Sequence, residues 1–312
     1  MIALVSSRYR RLTVVVCIGM LLVLLAGALV TNTGSGRGCG DDWPLCHGKF
    51  IPAYTLESML EYSHRAVSAA VGFLVLALFI ATLLRYRRHG EAVLYTSSAL
   101  FFTILQALLG AAAVMWPQSP SVMALHFGFS LLAFASTMLI VLWAYRRRTA
   151  EQAARAERLR RVPRSVLRYS WALFAYTYVV VYVGAFIRHT KTSGGCGGDW
   201  PLCNGAVIPE LSGASGLVFT HRVLAIVLVI NVIILMVHLR RLAGQEELTR
   251  VATWMAVLVV VQVFSGALLT VTLTNENVYI FTGLLHNVII SLFFGLLADV
   301  CIQAWKHRGG RA

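Results

Sequence analysis

Long apolar runs of about 20 residues, broken by short polar stretches, make up most of the chain. They fall at roughly 10–31, 62–85, 92–116, 121–145, 167–188, 216–239, 251–273 and 278–305. A run of that length spans a bilayer as a helix. Helix is the expected form because lipid leaves backbone groups no other partner. The pattern predicts an all-α membrane protein with eight transmembrane helices. Arg8, Arg10 and Arg11 precede the first run as they would in a signal peptide. The run itself is too long for an ordinary signal core, and its counterpart at 167–188 lies mid-chain, so a retained helix is predicted.

Composition agrees: 58% of the 312 residues are hydrophobic and 13% charged. The net charge of +14 would suit nucleic acid, but its distribution does not. Most of the 27 basic residues cluster at 8–11, 85–88, 146–168, 240–250 and 306–311, which are alternate ends of the helices. The positive-inside rule makes those ends cytoplasmic, with both termini inside. A basic cytoplasmic face favours anionic membrane lipid; no nucleic-acid partner is expected.

The chain repeats itself. Gly27-Ala28 matches Gly184-Ala185. Cys39-Gly-Asp-Asp-Trp43-Pro-Leu-Cys46 matches Cys196-Gly-Gly-Asp-Trp200-Pro-Leu-Cys203, and His64-Arg65 matches His221-Arg222. Gln106 and Gly110 match Gln262 and Gly266, and His126 corresponds to His286. The division is an N-terminal four-helix half at 1–146, a basic cytoplasmic linker at 147–166 and a C-terminal four-helix half at 167–312. Within the linker, Glu151/Arg155 and Glu157/Arg161 have the spacing of a solvated helix. Four helices is an even number, so both halves insert the same way. The expectation is two tandem four-helix bundles related by a pseudo-two-fold axis along the membrane normal, unlike inverted repeats.

The cysteine motifs fall in the long loops after the first and fifth helices, on the external side. An oxidising exterior permits disulfides, and the intervening Trp-Pro suggests a tight turn. Two readings stand for each pair, a local staple or a redox-active dithiol; one pair plus His47 could also hold zinc, although the spacing is unusual for zinc. Cys17 and Cys301 lie in apolar runs and read as packing residues.

Of nine histidines, His47, His89, His189, His238 and His307 sit in loops or at helix ends and read as solvated. His64, His126, His221 and His286 lie in the first turns of helices two, four, six and eight. Ionisable side chains at membrane depth are costly and mark function. One pair per bundle, His64 with His126 and His221 with His286, suits axial ligation of a haem iron; a non-haem metal is the other option. Glu61 lies three residues before His64, on the same helix face, whereas the second copy has Val218 there. A di-iron site would need a second such motif, so the halves are unequal. Arg65 and Arg222 suit either haem propionates or anchoring of the helix end. Asp299, near the cytoplasmic end of helix eight, is expected to snorkel.

Together, Gly34-Ser-Gly-Arg-Gly-Cys39 through Cys46, Glu61-x-x-His64-Arg65, His126, Cys196 through Cys203, His221-Arg222 and His286 resemble haem A synthases. These membrane enzymes convert haem O to haem A. The resemblance spans essentially the whole chain. It implies oxidation of a porphyrin methyl group to formyl, with haem O held between His64 and His126 and a resident haem b between His221 and His286. It implies that Glu61 is a catalytic residue and that Cys39–Cys46 is an external disulfide; Cys196–Cys203 is a second pair that not every such family member has. It places the protein in a prokaryotic-type plasma membrane, downstream of the farnesyl transferase that makes haem O, with an electron-transfer partner the sequence does not identify. The rivals are a bis-histidine cytochrome that only transfers electrons and a transporter of parallel repeats. The latter would need interrupted helices or charges along a path.

Overall fold

The computed structural model describes residues 4–52, 54–116, 119–150, 152 and 161–308. Its helices are α1 (Ser7–Asn32), α2 (Leu56–Tyr86), α3 (Gly90–Met115), α4 (Pro120–Arg146), α5 (Arg164–His189), α6 (Gly213–Arg240), α7 (Glu246–Val271) and α8 (Glu276–Lys306). All eight are long and apolar enough to cross a membrane. The described residues hold no strand, only isolated bridges such as Cys46 with Lys49 and Cys203 with Ala206. Phe73, Phe101, Trp254 and Phe264 stand exposed on helix surfaces. Such surfaces suit lipid, and the chain is an integral membrane protein.

Several helices begin before their apolar runs. α2 starts at Leu56 rather than 62, because Thr55 caps it by accepting the Ser58 N–H at 3.3 Å and Glu57 complements the dipole of the first turn. Counting apolar residues misses a polar first turn. Glu61 and His64 therefore sit in the second and third turns of an established helix. Ser119 caps α4 with Pro120 in its first turn, and Asn275 caps α8.

The chain divides into two compact units, residues 1–156 and 157–312. In unit 1, α1 and α3 each pack on both α2 and α4, closing a four-helix ring. The diagonal helices α2 and α4 make no backbone approach to each other. One end of the ring is locked by the Tyr9 hydroxyl bonded to Thr82 at 2.6 Å and by Tyr86 packed on Tyr9 and Trp143. His89 belongs to this aromatic cluster, 5.6 Å from Trp143 between ring centres; it is half-buried, not solvated as the sequence suggested.

Unit 2 closes the same ring: α5 and α7 each pack on α6 and α8. Phe174 meets Phe294 at 4.7 Å, and the Cys301 thiol donates to the Ser170 carbonyl at 3.2 Å. Val162 N–H donates to the His307 carbonyl at 2.8 Å, tying the entry of unit 2 to the end of α8. Asp299 is only 1% exposed. It lies inside the unit and does not snorkel, because its place on α8 faces the bundle. The linker pairs Glu151/Arg155 and Glu157/Arg161 involve residues outside those described.

Candidate functional site

Each unit carries a stapled loop over the start of its second helix. Cys39 is bonded to Cys46 and Cys196 to Cys203. Both loops have a cis Trp–Pro bond, Trp43–Pro44 and Trp200–Pro201. Matching side chains hold them down. His47 Nε2 meets the Gly38 carbonyl at 3.1 Å, and Asn204 Nδ2 donates to the Gly195 carbonyl at 3.0 Å. With the sulfurs joined, and His47 used as Asn204 is, the zinc reading loses its donors. Among the described residues no cluster of His, Cys, Asp and Glu could hold a metal ion alone.

The arginines clasp these loops. Arg65 Nη1 donates to the carbonyls of Asp42 and Leu45, each at 2.8 Å. Arg222 reaches the carbonyls of Leu202 at 2.8 Å and Asp199 at 3.0 Å. Sequence reading offered propionates or the interface and missed this loop-binding role. A propionate would have to use the remaining N–H groups, such as the buried, unpartnered Arg65 Nε.

Beneath the loops the units diverge. Glu61 is 3% exposed. Its Oε2 accepts the Cys39 N–H at 2.9 Å, and its Oε1 pairs with Arg65. In unit 2, Val218 instead packs with Ile187 against the Cys196–Cys203 disulfide, a purely apolar plug.

The four histidines come from diagonal helices. His64 lies on α2 and His126 on α4, diagonal helices of unit 1, and His221 on α6 and His286 on α8, diagonal helices of unit 2. At 1.5 Å per residue they lie roughly 9–15 Å from their helix starts, and all four are half-buried. Each packs toward a glycine of the preceding helix. A Cβ on Gly27 would stand 3.1 Å from His64 Cε1, and one on Gly184 2.9 Å from His221 Cε1. The corresponding distances are 3.9 Å for Gly110 with His126 and 3.4 Å for Gly266 with His286. The repeat had picked out these glycines without giving them a role.

His286 has two further partners that sequence reading missed. Ser265 Oγ lies 2.8 Å from its Nδ1 and Gln262 Nε2 lies 2.8 Å from its Nε2. In unit 1, Gln106 instead donates to the His126 backbone carbonyl at 2.8 Å. The signal lay in the repeat, where Ser265 aligns with Leu109.

This donor set fits an iron porphyrin. Two imidazoles from non-touching helices can serve opposite faces of one planar group. His64 keeps a buried Nδ1 with no hydrogen-bond partner, and Gly27 and Gly184 leave room beside His64 and His221 where a Cβ would crowd the rings. His64 and His126, and separately His221 and His286, are the residues that would hold such a group.

Comparison with known proteins agrees in kind. The chain is 40% identical over 282 residues to the Heme A synthase of Symbiobacterium thermophilum, covering 90% of each. It is 38% identical to that of Alkalihalophilus pseudofirmus, covering 94% of this chain and 96% of the relative. It is 37% identical to that of Bacillus licheniformis, covering 97% and 98%. Residues 10–59 and 53–298 match the family described as cytochrome oxidase assembly protein, COX15-CtaA. With nearly the whole chain covered, it belongs to the COX15-CtaA family of cytochrome oxidase assembly proteins.

Proposed function

We propose that the chain is a haem A synthase, oxidising a methyl group of haem O to a formyl group to give haem A for terminal oxidases. Relatives of that name support the activity. The observation that carries the site is the inequality of two otherwise matching histidine pairs. A buried carboxylate, Glu61, stands beside one, and Val218 beside the other. On this reading the half at 1–146 takes haem O between His64 and His126. The half at 167–312 keeps haem b between His221 and His286 for electron transfer, and 147–166 links them.

Going from methyl to formyl replaces two hydrogens by one oxygen, a four-electron oxidation: written with water as oxygen donor, four protons and four electrons leave, the electrons to an external acceptor. Iron, when bound, supplies the oxidising chemistry. The chain orients the ring through its histidines. Glu61, held by Arg65 and the Cys39 N–H, offers a fixed carboxylate beside His64 that takes up protons or offsets positive charge. The charge clusters support cytoplasmic termini, and the two disulfides support external cysteine loops. Haem O then comes from the farnesyl transferase of the same membrane.

The test is the pigment extracted from cells that make haem O and express this chain. Haem A is expected. Haem b alone would point to an electron-transferring cytochrome and overturn the synthase.

The glycine seats give a second expectation. Gly184→Ala forces the His221 ring to shift, and overpacking of this kind costs about 1–3 kcal/mol. If it falls on the ligand geometry, that corresponds to roughly a 5–150-fold loss of haem b retention. Gly266→Ala, in the same unit but with its Cβ at 3.4 Å from His286 Cε1, should lose less haem b. Equal retention in both variants would remove the seating role.

A further inference from the structure

Hydrogen-bond bookkeeping around His286 decides more than its position. The Ser265 hydroxyl has one proton, and it goes to the Gln262 backbone carbonyl at 2.8 Å. A carbonyl can only accept. Toward His286 Nδ1, 2.8 Å away, the same oxygen must therefore accept, so Nδ1 carries the ring hydrogen. In a neutral imidazole the other nitrogen then presents its lone pair. The Gln262 side-chain amide meets that lone pair from 2.8 Å with an N–H. The opposite amide orientation would set oxygen against the lone pair. The three contacts are mutually consistent and select one tautomer.

We propose that Ser265 is a positioning residue for a haem held by His286. It fixes the Nδ1–H tautomer, which leaves the Nε2 lone pair as the one that would bind iron. This rests on the assignment of haem b to unit 2. The hydroxyl is not a packing requirement of the ring: unit 1 builds the same glycine–histidine contact with Leu109 at the equivalent place. Accepting a hydrogen bond from the non-ligating nitrogen makes an imidazole a stronger donor to metal. Loss of such a partner typically weakens metal affinity 10–100-fold. The same hydrogen bond favours the ferric state, which lowers the reduction potential.

The experiment uses full-length protein purified with its haem b. Transfer of that haem to excess apomyoglobin is timed, and its midpoint potential is titrated, for the native chain, Ser265→Ala and Ser265→Thr. Ser265→Ala is expected to release haem about 10–100-fold faster at a raised potential. Ser265→Thr, which keeps a hydroxyl at the same reach, should restore both values toward native. A merely structural role would not move the potential or be rescued through the hydroxyl. Native release and native potential in Ser265→Ala, with both histidines still ligating, would overturn this role and leave the haem assignment intact. A native protein that binds no haem b would overturn the assignment and this inference with it.

Discussion

Cells making haem O and expressing Glu61→Val should accumulate no haem A, while the protein still purifies with the haem b of unit 2. Unit 2 is the natural control for this substitution. It places Val218 where unit 1 has Glu61, and its loop still closes over a packed apolar plug. Arg222 has no carboxylate at the place of Glu61 and is held by the carbonyls of Leu202 and Asp199. Arg65 has the same resource in Asp42 and Leu45. What is lost is one charge-assisted pair and one acceptor for the Cys39 N–H, each about 1.5–3 kcal/mol. That is tolerable in a unit anchored elsewhere by Tyr9, Thr82 and Trp143. Chemistry should suffer more. Removing a positioned acid or base typically costs 10²–10⁴-fold, so haem A should fall by at least about 100-fold. Glu61→Gln, which keeps the shape and loses the charge, should behave alike. Undiminished haem A in either variant would sink the role given to Glu61. Loss of haem b alongside haem A would mean that the substitution acts on folding.

The eight helices and the repeat were legible because lipid enforces long apolar runs and because matching motifs recur at a nearly constant spacing. The inequality at Glu61 and Val218 needed only those two facts. Other features depended on side-chain direction, which periodicity does not carry. Arg65 and Arg222 read as partners for propionates or as anchors of the helix end, and they turn toward loop carbonyls. Nothing in a lone Arg distinguishes these acceptors. Asp299 was expected at the water edge from its distance to the end of α8, but its helical face points inward. Gly27 and Gly184 stood out as repeated residues, but their use appears only when a Cβ is placed against His221 or His64. Leu109 and Ser265 differ as plainly as Glu61 and Val218 do. That difference gained meaning only once the hydroxyl was found on a histidine nitrogen.

His221→Ala is expected to abolish haem b binding by unit 2, and the contrast with His64→Ala is what makes it decisive. Neither histidine holds the bundle together. Each ring rests against a glycine, and its helix packs on two neighbours through other residues, such as Leu228, Val232 and Leu235 on α6 and Val71, Val75 and Leu78 on α2. Truncation should therefore leave the fold and remove the ligand. Loss of a first ligand should exceed the 10–100-fold typical of its supporting partners, so haem b should be absent from purified His221→Ala at ordinary concentrations. His286→Ala should match it, since both rings serve one group from opposite helices. In His64→Ala the haem b spectrum should remain, while haem A disappears because haem O has lost a ligand on the side where Glu61 stands. An unaltered haem b spectrum in His221→Ala, or its loss in His64→Ala instead, would reverse the assignment of resident and substrate sites. The reversal would then have to explain why the half with the carboxylate holds the electron-transfer group. Nothing in the packing of Val218 against Ile187 and the second disulfide offers a proton acceptor to take the place of Glu61.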